Sequence, residues 1–215
     1  MFIGHYGVAL AAKRLAPSAS LGLLVFAAQF ADLLWPLLVL AGVEAVEVHP
    51  GDTAFTPLAF VSYPYSHSLV AVTAWAVLIG AACRTTRRAL PVAAGAVAAL
   101  VLSHWVLDWL THRPDLPLTI SGEARVGLGL WNHVAATLIV ESTIFAAGLW
   151  LYLRGAPRRR AMWGLVAFLL VVYVANLLGP PPPSSAAVAW AALLLWLLVP
   201  WAHWIDRRPT GPGRS

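Results

Sequence analysis

The sequence predicts an all-α fold: a polytopic membrane helix bundle of about six transmembrane helices plus a short N-terminal half-helix. Three observations lead there. Of 215 residues, 60% are hydrophobic and 11% charged, where a soluble domain carries about 25% charged residues. Apolar runs near 19–42, 66–83, 89–111, 129–153, 161–179 and 185–204 are bounded by Pro, Gly and Arg, and each can cross a hydrocarbon layer that takes about 20 helical residues. Threading those runs puts Lys13, Arg14, Arg84, Arg87, Arg88, Arg154, Arg158, Arg159, Arg160, Arg207, Arg208 and Arg214 on one side, and only Arg113 and Arg125 on the other. Lys and Arg collect in cytoplasmic loops, so both ends of the bundle are expected in the cytoplasm of a bacterial inner membrane.

Each element follows from its own residues. Residues 2–12 form an apolar helix too short to cross, expected to lie in the interface or dip back beside the first span. The first span carries Asp32, and the loop after it, with Glu44, Glu47 and Asp52, is acidic and expected to face outward. "YSHSL" opens the second span with His67, "LSHWVLDWLTH" closes the third with His104, Asp108 and His112, and the fourth carries His133 and Glu141. "GPPPPSS" at 179–185 is a stiff turn between the last two spans. The organisation expected is one integral membrane domain over 1–215, with metal-site helices in 1–153, two further transmembrane helices in 154–204 and a cytoplasmic tail at 205–215. The net charge of +5 follows from this topology and anionic lipid, so no nucleic-acid partner is needed. The basic pair follows the first apolar stretch, the reverse of a secretory signal, so the N-terminus is read as part of the mature protein.

Depth singles out the costly residues. At about 1.5 Å per residue, Asp32 lies roughly 15 Å, His104 12 Å and Asp108 6 Å below the outer end of their spans. An ionisable group there costs about 2.5–3.5 kcal/mol on insertion scales. Asp32, His67, His104, Asp108, His112, His133 and Glu141 come from four spans and share the outer half of the bilayer, which points to one site.

His104 and Asp108, four apart, can grip one divalent ion together, and His112 can turn to a second. Two ions about 3.5–4 Å apart need a bridging carboxylate, which Asp32 or Asp108 would supply. A lone Cys83 excludes a thiolate site. Imidazoles with carboxylates suit zinc, with manganese or iron as weaker candidates. The plainer alternatives are interhelical hydrogen bonds for the His104 stripe and a helix cap for His67 between its serines; His49 and His203 are read as loop and interfacial residues. Arg113 and Arg125 flank the expected mouth, where a lipid phosphate would sit, and Asn132 and Tyr65 are candidate donors to a substrate oxygen.

The order "GHYGVALA", "FADLLW", "YSHSL", "SHWVLDWLTH" and "WNHVAATLIVE" over about residues 1–145 resembles the bacterial membrane-bound, LexA-regulated metal-dependent hydrolases. It is more distantly similar to zinc-dependent phospholipase C, an all-helical enzyme with three zinc ions. That resemblance implies a ligand set of His5, Asp32, His67, His104, Asp108, His112, His133 and Glu141, with two and possibly three zinc ions. In the phospholipase the N-terminal residue is a Trp that ligates metal and the last His and Glu are four apart; here the chain starts Met1-Phe2 and His133 and Glu141 are eight apart.

The function expected is hydrolysis of a phosphoester in a membrane lipid or lipid-linked substrate by a metal-activated water, with Asp32 or Asp108 accepting its proton. Intramembrane cleavage of a ceramide-like amide, a metal or proton transporter, and a closed structural metal site would use similar residues. No H-E-x-x-H and no G-x-S-x-G occurs, and the phosphohistidine motifs of lipid phosphatases are missing.

Overall fold

A computed structural model describes residues 1–86, 90–155 and 159–206. Arg87, Arg88, Arg158, Arg207, Arg208, Arg214 and the expected tail from 207 onward lie outside the described residues. In chain order the elements are α1 (Ile3–Leu15), α2 (Leu21–Ala28), α3 (Phe30–Leu40), β1 (Ala45–Val48), β2 (Leu58–Ser62), α4 (Pro64–His67), α5 (Leu69–Thr86), α6 (Pro91–Thr111), β3 (Leu116–Pro117), β4 (Arg125–Val126), α7 (Val134–Leu153), α8 (Arg159–Leu178), α9 (Ser185–Leu193) and α10 (Leu198–Asp206). The chain is an all-α bundle whose only strands, among the described residues, form two small antiparallel hairpins, β1–β2 and β3–β4.

Among the described residues, four helical stretches are long and apolar enough to cross a membrane: Pro91–Thr111, Val134–Leu153, Arg160–Leu178 and Ser185–Asp206. Their outward faces carry exposed Val106, Ile139, Trp163, Val171, Leu178 and Trp190, as expected of a membrane protein. The count is lower than the six spans expected, for two local reasons. The first expected span is two helices, α2 and α3, bent by 57°, and becomes a fifth crossing only if the pair is taken as one. Gln29 sits at the bend, its backbone outside the helical region. The second is shortened at its start. Ser68 is extended, with φ −68° and ψ 147°, and ends α4. Its hydroxyl accepts from Ala71 N at 3.1 Å as the cap of α5. The apolar helix left, Leu69–Thr85, is shorter than the other four.

α1 is too short to cross, yet it is buried in the bundle. Two glycines allow this. A Cβ on Gly7 would lie 2.6 Å from Ile144 O and 2.7 Å from Phe145 Cα, and one on Gly148 would collide with the backbone of Gly7. α1 and α7 therefore meet backbone to backbone, a contact without side chains between. The start of α1 has no cap of its own, and Glu141 Oε2 serves instead, accepting from Phe2 N at 2.9 Å and Gly4 N at 3.4 Å. At the far end Lys13 Nζ donates to Asp206 Oδ2 and to Ala19 O, both at 2.6 Å, tying α1 to α10.

The two hairpins lie together at one end of the bundle. Arg125 Nη2 donates to Val61 O at 3.1 Å and Val70 N to Leu118 O at 3.2 Å. Trp35, Val46, Tyr63 and Leu116 form a small second core beneath them.

The glycine contact yields a direct test. Gly148→Ala overpacks the α1–α7 seam, at a cost of about 1–3 kcal/mol, and should lower the Tm of detergent-solubilised protein by roughly 2–12 °C. Gly95→Ala, with nothing within 4 Å of its Cβ, is the control and should be neutral. Equal Tm values for the two variants would contradict the backbone contact.

Candidate metal centre

Five side chains from four helices, α1, α3, α4 and α6, meet at Asp108. α6 places His104 and Asp108 one turn apart on its buried face, as the i, i+4 spacing requires. Asp108 Oδ2 is 3.0 Å from His104 Nε2 and 3.7 Å from His67 Nε2. Its Oδ1 accepts from the Met1 amine at 2.6 Å and lies 3.1 Å from His5 Nε2. Asp32 Oδ1 closes the group, 3.6 Å from His67 Nε2 and 3.8 Å from His104 Nε2. The His5 and His104 rings stack at 3.9 Å, nearly parallel at 3°. Side-chain exposure is 26% for Asp32 against 3–4% for Asp108 and His67, so Asp32 is the edge of the cluster that meets the surroundings.

The outer nitrogens decide what the inner ones present. His104 Nδ1 is 2.8 Å from the carbonyl of Ala28, which can only accept, so Nδ1 carries the proton. That carbonyl ends α2, and the break at Gln29 leaves it without a helical partner. The bend that spoils the first span thus orients a site residue. His67 Nδ1 is 2.7 Å from Ser66 Oγ, whose own proton goes to Glu44 Oε2 at 2.6 Å, so His67 Nδ1–H donates to the hydroxyl. In a neutral ring, Nδ1–H turned outward leaves each Nε2 as a lone pair aimed at the two carboxylates.

Acceptors facing acceptors in a buried pocket repel unless something positive sits among them. Among the described residues His104 Nε2 has no hydrogen-bond partner, although a carboxylate oxygen is 3.0 Å away. A divalent cation fits this donor set. Two triads, His5/His104/Asp108 and Asp32/His67/His104, each have their ligand atoms within 4.8 Å of one another. Neutral imidazole with carboxylate, and no thiolate, is the chemistry of zinc and its first-row neighbours.

The other expected residues lie elsewhere. His112 follows the end of α6 with φ −64° and ψ 147° and turns to a different network. Its Nδ1 donates to Asp115 Oδ1 at 2.9 Å, where the Tyr63 hydroxyl also donates at 3.1 Å. Burial, with the Asp115 carboxylate alongside, pushes the Tyr63 phenol well above its ordinary value and keeps it a donor. His133 is exposed at the start of α7. Glu141, two turns on, is buried as the cap of α1, and its Oε1 has no partner among the described residues. Among the described residues, His112, His133 and Glu141 do not come together in a ligand group. Arg113 is paired with Asp52 and Asp115. Arg125 and Tyr65 line a cavity of about 250 Å³ between the hairpins and α4, with Tyr63, Ser62, Ser121 and Pro117. Asn132 is exposed.

Sequence reasoning missed three members of the site: the Met1 amine, the Ala28 carbonyl and the Glu44–Ser66 pair. Glu44, expected in an outward-facing acidic loop, is 3% exposed. The serine beside His67 was the one visible hint.

Metal content separates the two groups of histidines. Protein purified with its ion should carry stoichiometric divalent metal by elemental analysis. His104→Ala and Asp108→Ala should each lose at least about 90% of it, since removing a ligand costs far more than the 10–100-fold of a supporting residue. His133→Ala should retain it. Retention by both cluster variants would exclude the cluster as the metal centre.

In comparisons with protein-family models, with curated proteins and with solved structures, nothing matches the chain, so the chemistry of the cluster is read from its own donors.

Proposed function

We propose that the chain is a membrane-embedded, metal-dependent hydrolase that cleaves a phosphoester in a lipid or lipid-linked substrate. The observation that carries this reading is the pair of bare Nε2 atoms of His67 and His104 held against Asp32 and Asp108. These four residues would hold the first ion, with His5 on the far oxygen of Asp108 as the ligand nearest a second. Zinc suits them best, with manganese or iron behind it. Such an ion would supply Lewis acidity toward a phosphoryl oxygen and a water activated near neutral pH.

The chain's own residues divide the remaining work. Asp32, the one partly exposed member, is placed to accept the proton of the attacking water. Asp108 shares its two oxygens among the Met1 amine, His5 and His104, and so holds the group together. Arg125 and Tyr65, in the cavity on the hairpin side of α4, would meet an anionic headgroup. The resemblance to LexA-regulated metal-dependent hydrolases and, more distantly, to zinc-dependent phospholipase C points to the same reaction class. The uneven distribution of Lys and Arg supports an inner-membrane location with both ends cytoplasmic and the hairpins outward.

The test is turnover in vesicles. Zinc-loaded protein should hydrolyse a glycerophospholipid or a polyprenyl phosphoester, lose activity on chelation and regain it with zinc. Asp32→Asn should lower kcat by about 10²–10⁴-fold, the usual contribution of a general base. Cleavage of ceramide in place of phosphoesters would move the assignment to an amide hydrolase. Metal-loaded protein inert toward both classes would refute hydrolysis.

A further inference from the structure

We infer that Glu44, acting through Ser66, is a positioning residue that sets the proton state of His67 for metal binding. The inference rests on the metal centre proposed above and adds to it a residue that no ligand pattern would select.

Glu44 follows α3 directly. Gly42, at φ 70°, turns the chain in the left-handed region, and Val43 N and Glu44 N close the turn by donating to Leu38 O at 2.9 and 3.2 Å. The turn carries the Glu44 carboxylate to the start of α4, where Oε1 accepts from Tyr65 N at 2.8 Å and Ser66 N at 2.9 Å. Oε2 accepts from Ser66 Oγ at 2.6 Å, and Ser66 Oγ in turn lies 2.7 Å from His67 Nδ1. Glu44 is 3% exposed, Ser66 fully buried and His67 3% exposed.

Directionality gives the chain its effect. An ionised carboxylate can only accept, so the serine proton must point at Glu44. The serine oxygen then has only lone pairs left for His67, so Nδ1 must carry the ring proton. Nε2 is left bare, facing Asp32 and Asp108 at 3.6 and 3.7 Å. The carboxylate also polarises the hydroxyl and, through it, makes the imidazole a better ligand. His104 is set in the same tautomer by a carbonyl, so the two rings reach one state by different means.

Glu44→Gln separates this role from mere support. The amide oxygen can still accept from Tyr65 N and Ser66 N, so the start of α4 is kept. The amide nitrogen, however, now donates toward Ser66 Oγ and frees the serine proton to turn toward His67 Nδ1. A ring that accepts there carries its proton on Nε2 and cannot ligate. Ser66→Ala is the second variant, removing the hydroxyl while leaving Glu44 on the two backbone amides.

The measurement is the zinc Kd of full-length protein in detergent, by competition with a chromogenic chelator, beside the Tm of the metal-free protein. Both variants should bind zinc about 10–100-fold more weakly than wild type, with the metal-free Tm of Glu44→Gln unchanged. Zinc affinities of both variants within about twofold of wild type would overturn the relay and leave the metal centre standing. Weak binding in Glu44→Gln alone, with Ser66→Ala like wild type, would also overturn it, because the effect would then bypass the hydroxyl. Wild type without zinc affinity would remove the metal centre and the relay together.

Discussion

Everything at the centre of this bundle depends on keeping two carboxylates, Asp32 and Asp108, inside an apolar interior. A lone ionised carboxylate there costs several kcal/mol, and a second one beside it adds repulsion. Three imidazoles and an amine surround them. Two of those imidazoles donate outward, and in their neutral form they offer the carboxylates no proton on the inward side. Compensation by histidine is therefore incomplete by construction. The Met1 amine turns its N–H groups toward Asp108, whereas His67 and His104, as neutral rings, turn lone pairs inward, which is the arrangement that favours a cation.

The need to converge on that point explains the irregularities of the helices. A bundle of uninterrupted spans has few ways to bring five side chains to one layer. Here α1 enters as a short inserted helix, admitted by the Gly7–Gly148 seam and capped at its start by Glu141. The α2–α3 bend exposes the Ala28 carbonyl to His104. The break at Ser68 lets α4 stand as a separate turn, so that His67 faces the cluster while Ser66 faces Glu44. Broken helices are tolerated at membrane depth where neighbouring groups take up the freed backbone bonds, and at these breaks the site residues do so.

The sequence made part of this legible. Helical class, membrane character and the His104–Asp108 pair follow from hydropathy and the four-residue spacing, because both are local properties. The number of crossings did not follow, since a hydropathy window averages over Gln29 and Ser68, where backbone dihedrals change without any loss of apolar character. His112, expected to turn toward a second ion at the end of the stripe, meets Asp115 instead, because α6 ends at Thr111 and the chain at His112 is extended. Glu44 was read as surface because its partners lie 21 and 22 residues away, across a hairpin. His5 entered only through resemblance, as nothing in an apolar N-terminal helix says which neighbours it will have.

Arg113 and Arg125, alike in sequence, differ in what they can do because their partners differ. Both are basic residues on the sparsely charged side of the chain. Arg113 is held by Asp52 and by Asp115, which in turn holds His112 and Tyr63, so its charge is spent on the fold. Arg125 is bound only to carbonyls, those of Gly122 and Val61, among the partners described for it. Carbonyls orient a guanidinium without neutralising it, so its positive charge remains at the wall of the cavity it shares with Tyr65. A phosphate-bearing headgroup needs a cation that is fixed in place yet uncompensated, and of the two arginines only Arg125 meets both conditions.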